Sequence, residues 1–366
     1  MSYPTLKPAD WAAVAFWQND MVSEAWTAFL RSCATLGKRT AWQAVCSDAA
    51  AMSTPDDAAV RAFFERWFQP WQATQEDGSP DGLITGYYEP LLKGYRVRTA
   101  RARYPLYAAP DDLITVDLAS VYPELKNLRL RGRLAGNKLV PYPTRKEIES
   151  AAANGNGNGF KGKPIAWAED PVDRFFLQIQ GSGRIELPDG SHMRVGYADQ
   201  NGYPYQSIGK LLVERGELKL EQASMQGIKD WGAKHPDKLP ELLASNPSFV
   251  FFRELPDGLP GPLGSLGVPL TGGRSIAVDP KFIPLGAPVF LATTQPNSTQ
   301  PLNRLVMAQD SGGAIRGGVR AGFFWGFGNE AGELAGRMKQ RGRMWVLLPK
   351  TMPVITSRPV SPNPKD

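Results

Sequence analysis

The sequence predicts a mainly β protein with an N-terminal set of helices, and three observations predict it. Apolar residues recur at three- and four-residue spacing between Ala9 and Gln75. After Leu83 the apolar runs become short and are bounded by turn residues. The 37 Gly and 32 Pro among 366 residues punctuate those runs too often for long helices. A hydrophobic content of 42% is enough to bury a full core, and the length suggests about two domains.

Taken in order, Trp11, Val14 and Ala15, then Trp26, Phe29 and Leu30, mark helical faces, and Asp56 and Asp57 open an amphipathic run through Ala62, Phe63 and Trp67. From Leu83 to Tyr107, Gly86, Pro90, Gly94 and Pro105 separate strand-like pieces. Strand-like residues follow from Leu130 to Tyr142, then a helix started by Thr144, a loop from Asn154 to Gly159, and strands through Phe175 to Val195. Helices are expected at Gln206 to Glu214, Leu220 to Ala233 and Leu239 to Ala244. The last third reads as short strands at Val250 to Arg253, Ser275 to Val278, Pro288 to Leu291, Leu302 to Ala308, Phe323 to Trp325 and Met344 to Leu348, with one helix from Glu330 to Gln340. Short strands separated by Gly and Pro argue for a barrel over an open parallel sheet. The expected domains are 1–112 with 247–349, an inserted β-rich domain at 113–246, and a disordered tail at 350–366 rich in Pro and Ser. No internal repeat is present, which excludes solenoids and propellers.

Bulk chemistry excludes more than it selects. The net charge of +6 suits an anionic partner, but no run of five Lys or Arg, zinc-finger spacing or RNA-binding aromatic motif occurs, so no nucleic-acid partner is expected. No apolar stretch reaches the roughly 18 residues of a membrane span, and Met1 to Trp17 lacks the basic head and apolar core of a signal peptide. Cys33 and Cys46 are the only cysteines, and His192 and His235 the only histidines. A Cys/His metal site is therefore excluded, and no metal or organic cofactor is expected. The two thiols read equally well as a disulfide closing a short loop and as two buried free thiols.

Three segments carry residues suited to chemistry. In Gly86-Tyr87-Tyr88-Glu89-Pro90, adjacent tyrosines on a strand must face opposite sides, and Glu89 can act as an acid or accept hydrogen bonds from sugar hydroxyls. In Phe176-Leu177-Gln178-Ile179-Gln180-Gly181-Ser182-Gly183, Gln178 and Gln180 share one face if the segment is a strand, and parallel amides suit hydroxyls and acetamido groups. Tyr197, Asn201, Tyr203 and Tyr205 follow in a segment dense in Tyr, Asn and Gln, which suits a sugar-binding wall. The third segment, Ala308 to Gly318, puts Asp310 at the end of an apolar strand before a Gly-rich turn. Partial burial there raises a carboxyl pKa, as a general acid requires.

Together, the segments GYYEP, FLQIQGSG, VGYADQNGYPYQSIGK, NPSFVFFRE, GPLGSLGVPLTGGRSIAVDPKFIPLGAPVFL, AQDSGGAIRGGVR and FFWGFGNEAGELAGRMKQRG resemble the membrane-bound lytic murein transglycosylase A family, in order from about Gly86 to Pro349. The resemblance implies a double-psi β-barrel formed by N- and C-terminal parts, a smaller inserted β domain, and a groove between them holding a peptidoglycan glycan strand. It implies cleavage of the β-1,4 bond between N-acetylmuramic acid and N-acetylglucosamine without water, leaving a 1,6-anhydro end, by a monomer. It also implies a periplasmic, outer-membrane-associated protein, whose signal and lipid anchor would belong to a segment not in this chain. In an oxidising compartment a Cys33–Cys46 disulfide is permitted.

Matched to the family pattern, Asp279 and Asp310 are the first two of its three aspartates. The third is absent. Where members read Val-Arg-x-Asp-Phe/Tyr-Phe-Trp-Gly, this chain reads Val319-Arg320-Ala321-Gly322-Phe323-Phe324-Trp325-Gly326, so Gly322 stands at the position of the catalytic acid. Either the centre is impaired with binding retained, or Asp310 or Glu330 substitutes, or the acid lies in another register; the first is the expectation. Asp279 is expected to fix the turn before Pro280. The alternative to an impaired transglycosylase is an inactive peptidoglycan-binding pseudoenzyme.

Overall fold

The computed structural model describes residues 3–126, 128–154 and 160–353. They form two compact units: the described residues within 3–88, 260–326 and 330–353 in the first, and those within 89–259 with 327–329 in the second.

In chain order the first unit opens with β1 (Leu6–Pro8), α1 (Trp26–Leu36), α2 (Thr40–Ala51), α3 (Asp57–Trp67), β2 (Phe68–Ala73) and β3 (Gly82–Glu89). The second unit carries β4 (Leu91–Tyr95), β5 (Tyr104–Tyr107), β6 (Ile114–Thr115), β7 (Arg131–Ala135), β8 (Lys138–Pro141), α4 (Arg145–Asn154), β9 (Pro164–Ala168), α5 (Pro171–Gln180), β10 (Ser182–Glu186), β11 (His192–Gln200), α6 (Ile208–Glu214), α7 (Met225–Lys234), α8 (Leu239–Ala244) and β12 (Val250–Glu254). The chain then returns through β13 (Ser275–Val278), β14 (Pro288–Thr294), β15 (Pro301–Asp310), β16 (Arg320–Phe327), α9 (Gly328–Arg337) and β17 (Lys339–Pro349).

The eight strands of the first unit pair in the order β1-β2-β17-β14-β15-β13-β16-β3, and β17 also pairs with β3. Six strands thus form a closed circuit of pairings. Their side chains alternate between two cores. Phe290, Leu305, Met307, Trp345 and Leu347 pack with Trp26, Phe29, Phe63 and Phe64 of the helices, while Val289, Leu291, Val306, Ala308, Met344 and Val346 pack inward with Ile276 and Phe323. Strands covered on both faces read as near-continuous apolar runs, which is why Leu305–Ala308 and Met344–Leu348 show no polar alternation. Phe29, Phe64 and Phe68 are fully buried, each contributing roughly 1.5–3 kcal/mol.

Helix starts follow their caps. Asp56 accepts a hydrogen bond from Ala59 N at 2.8 Å, and Thr144 exchanges bonds with Glu147 at the start of α4. Cys33 on α1 and Cys46 on α2 are joined by a disulfide, with Cα atoms 5.4 Å apart.

In the second unit a six-stranded sheet runs β12-β11-β10-β4-β9-β5, beside a three-stranded sheet β6-β7-β8. Because β4 and β5 pair with β9 and β10, this unit begins at Glu89 and ends at Leu259, wider than the 113–246 read from the sequence.

Several expectations need correction. Residues 171–180 are helical rather than a strand, since Asp170 caps Val172 and Asp173 and Gly181 closes the helix at φ 79°. The helical reading to Gln75 hid β2, whose Pro70 lies beyond the residues that β1 pairs. The stretch 220–233 is a short 3-10 turn at Leu220–Gln222 followed by α7, which Ser224 caps. The expected 330–340 helix ends at Arg337. Most of the 154–159 loop and the tail from 354 lie outside the described residues.

Candidate active site

The centre of the first unit is set by β13. Ala277 is the register partner of Asp310 on β15 and of Gly322 on β16. With neighbouring strands about 4.8 Å apart, the two positions flank Ala277 about 10 Å from each other.

Asp310 is held by its neighbours on both sides. Gln309, fully buried, donates to Ala28 O at 2.8 Å and Ser32 Oγ at 3.0 Å and accepts from Ser275 Oγ at 2.6 Å, which ties the end of β15 to α1. A loop through Gly264 and Ser265 lies along the strand end, where a side chain at Gly264 would sit 2.5 Å from the Gln309 carbonyl. That close approach lets Ser265 reach the carboxylate. Asp310 Oδ1 accepts from Ser265 N, Ser265 Oγ and Ser311 N, each at 2.9 Å. Oδ2 accepts from the Tyr87 hydroxyl at 3.1 Å. Burial pushes the Asp310 carboxyl above the ordinary carboxylate range, and these four donors oppose that rise. Burial and the adjacent Asp310 hold the Tyr87 phenol well above its usual value, so it stays a donor.

Tyr87 is the bridge between the two positions. Its ring lies 5.1 Å from Phe324, and its Cδ1 would stand 3.3 Å from a Cβ at Gly322, with Ile315 at 3.4 Å and Ala277 at 3.5 Å. Tyr88 faces the other side, close against Gly332 of α9, as adjacent strand residues must. Asp279 is buried; its Oδ1 accepts from Lys281 N at 3.1 Å and its Oδ2 from Gly317 N at 3.0 Å. It therefore fixes the turn at Pro280 and pins the Asp310–Arg320 loop. Glu330 is exposed on α9.

The second unit holds the remaining candidates, and burial sorts them. Glu89 is 1% exposed and paired with Arg184 at 3.0 Å and Arg194 at 3.3 Å, so it serves an internal ion cluster rather than sugar hydroxyls. Gln178 is buried and accepts from Arg145, while Gln180 is half-buried one helical half-turn away, so the two do not share a face. Asn201 donates to Pro143 O and Pro247 O at 2.9 Å and accepts from Phe249 N at 2.8 Å, which uses its amide internally. Gly181 is the helix cap and Ser182 is buried at the start of β10. Tyr197, Tyr203 and Tyr205 remain half-buried, with Arg129 over the Tyr197 ring at 5.7 Å. Burial raises all three phenols.

Sequence reasoning missed Ser265, Ser311 and Ile315. Only the glycines around Ser265 hinted at a close approach. Among the described residues, no three His, Cys, Asp or Glu side chains gather as metal ligands.

Two family models match the chain: the MltA specific insert domain over residues 83–253 and the 3D domain over residues 274–348. The membrane-bound lytic murein transglycosylase A of Escherichia coli K12 is 35% identical over 290 residues, covering 77% of this chain and 69% of that protein. The chain belongs to the membrane-bound lytic murein transglycosylase A family. A crystal structure of this family's MltA from Neisseria gonorrhoeae is 42% identical, with a TM-score of 0.81 over 96% of this chain and 94% of that one. A second, E. coli MltA with bound chitohexaose, is 29% identical, with a TM-score of 0.65 over 89% and 90%. The protein is accordingly a mixed helix and sheet member of the MltA fold.

Proposed function

We propose that this chain binds peptidoglycan glycan strands and is a lytic transglycosylase whose turnover is impaired because position 322 carries no carboxyl. The observation that carries this reading is the geometry around Gly322, where Tyr87 joins the position to a carboxyl with a raised pKa, yet no proton donor occupies the position itself. The chitohexaose bound to the E. coli relative supports an N-acetylglucosamine polymer as ligand class. The closed circuit of six strands is read as the double-psi barrel, and the second unit as the inserted domain. The half-buried tyrosines at 197, 203 and 205 are the remaining candidates to contact sugar. The relatives' description as membrane-bound supports a periplasmic, outer-membrane-associated location, while no helix among the described residues is long and apolar enough to cross a membrane.

The chemistry needs a single acid and base. Protonation of the glycosidic oxygen breaks the C1–O bond to the leaving sugar. The C6 hydroxyl of the same muramic residue then attacks C1, and its proton passes to the carboxylate, giving a 1,6-anhydro ring with no water consumed. An intramolecular hydroxyl replaces a positioned nucleophile by proximity. Two-carboxylate hydrolysis would leave a reducing end instead. The second reading, in which Asp310 itself supplies the proton, is favoured by its burial-raised pKa; its four donors oppose it, since they stabilise the ionised form.

Incubation with purified sacculi, followed by sedimentation and mass spectrometry of the soluble fraction, tests the function. The expected result is protein in the pellet with few anhydro-muropeptides released. Failure to sediment refutes the glycan reading, release at the rate of an intact relative refutes the impairment, and reducing ends refute the chemistry.

A further inference from the structure

Away from Asp310, the N-terminal segment of the first unit borders an open surface cavity of about 330 Å³, lined by Trp11, Val14, Phe16, Trp17, Gln18 and Asn19. Two of its rings form a fixed wall. Trp17 is 2% exposed, lies edge-on to Phe290 with ring centroids 5.5 Å apart, and donates from Nε1 to Glu65 Oε1 at 2.8 Å. Trp11 leans on it at 4.8 Å with a 40° tilt.

The third ring sits on a strained turn, whose Phe16 carbonyl accepts from Asn19 N at 2.9 Å. Phe16 adopts the left-handed backbone region, φ 65° and ψ 18°, which a non-glycine residue rarely occupies, and it leaves its ring 56% exposed. Backbone outliers of this kind concentrate where a ligand is held. Beside it, the exposed side-chain amides of Gln18 and Asn19 have no hydrogen-bond partner among the described residues.

We infer that this cavity is a second glycan site, taking one N-acetylated amino-sugar ring; the inference rests on the proposed glycan ligand. A pyranose presents an apolar C–H face that stacks on Trp11 and Phe16, and its hydroxyl and acetamido groups pair with amides that both donate and accept. The volume lies at the small end of ligand pockets, which fits one ring. A lipid surface would instead call for rings on a protruding face with basic residues beside them, whereas here the rings line a concavity whose polar members are neutral. The site would hold a strand at a point independent of Tyr87 and Asp310.

The test uses the whole chain labelled with ¹⁵N-tryptophan, the Trp11 indole signal assigned from Trp11→Phe, and triacetylchitotriose as probe. The sugar is expected to move the Trp11 signal, and Phe16→Gly to weaken that titration at least tenfold. Glycine accepts the left-handed backbone, so the variant should melt at or above the wild-type temperature, which separates lost binding from lost folding. A Trp11 signal unmoved by the sugar, in a protein that still sediments with sacculi, overturns this inference and leaves the proposed function standing. Loss of both removes the glycan reading itself. If Phe16→Gly instead abolishes co-sedimentation with phosphatidylethanolamine–phosphatidylglycerol vesicles while the sugar titration is unchanged, the cavity is a lipid contact and the inference is overturned.

Discussion

Replacing Tyr87 by Phe removes one hydroxyl and leaves the ring on Phe324 and against position 322. The lost bond is the only one that Oδ2 of Asp310 receives among the described residues, at 3.1 Å. A hydrogen bond to a charged group contributes about 1.5–3 kcal/mol, equivalent to about one to two units of Asp310 pKa at 1.36 kcal/mol per unit. The direction in pH follows. Burial already holds the folded-state Asp310 pKa above its unfolded value, so its contribution to stability is full below about pH 4 and is lost as pH rises through the folded value. Tyr87→Phe lifts the folded value further. The variant is therefore expected to lie close to wild type at pH 4 and to fall about 1.5–3 kcal/mol below it at neutral pH. Urea denaturation at pH 4, 5.5, 7 and 8 measures this, with Asp310→Asn as the background in which the pH dependence should vanish. An equal cost at every pH in both backgrounds would refute a charged Asp310 held by Tyr87.

Other outcomes follow from the same geometry. Reducing the Cys33–Cys46 disulfide, which spans a sequence separation of 13, should lower stability by about 3 kcal/mol, seen as a lower melting temperature with a phosphine reductant and no change in a Cys33→Ala/Cys46→Ala variant. Glu89→Gln leaves Arg184 and Arg194 without their buried carboxylate and should cost about 3–5 kcal/mol in urea unfolding; a loss under 1 kcal/mol would contradict an internal role and return Glu89 to the ligand candidates.

Much of the fold was legible because local signals agreed with it. Asp56 and Thr144 announce their helices by capping, and the C-terminal strands appear where apolar runs meet Gly and Pro. Gln178 and Gln180 were misread because Leu177, Ile179 and the glutamines alternate like a strand; Asp170-Pro171 and Gly181, a start and a stop, were the stronger cue. β2 was hidden by the helix before it and by Pro70 within it. Asp310 and Tyr87, both put forward from the sequence, meet through one hydrogen bond in the structure, and their segments carry the family resemblance. Glu89 and Asn201 were beyond reach, because sequence shows a polar side chain but not the arginines or carbonyls that enclose it. Ser265 was missed for the same reason: its role arises from a loop that crosses the end of β15, 45 residues away in sequence.

In the proposed function a missing carboxyl at position 322 limits turnover, and Gly322→Asp puts one back. The backbone there is compatible with a side chain, and the nearest atoms to a new Cβ are the Tyr87 ring carbon Cδ1 at 3.3 Å, the Ile315 Cδ1 methyl at 3.4 Å and the Ala277 methyl at 3.5 Å, so a shift of a few tenths of an ångström should admit it at about 1–3 kcal/mol. A restored general acid contributes about 10²–10⁴-fold. On the same sacculi, at matched binding, the variant is expected to release anhydro-muropeptides at least a hundred times faster than the chain with Gly322. A folded variant that sediments with sacculi but releases them no faster would show that the absent carboxyl is not what limits turnover.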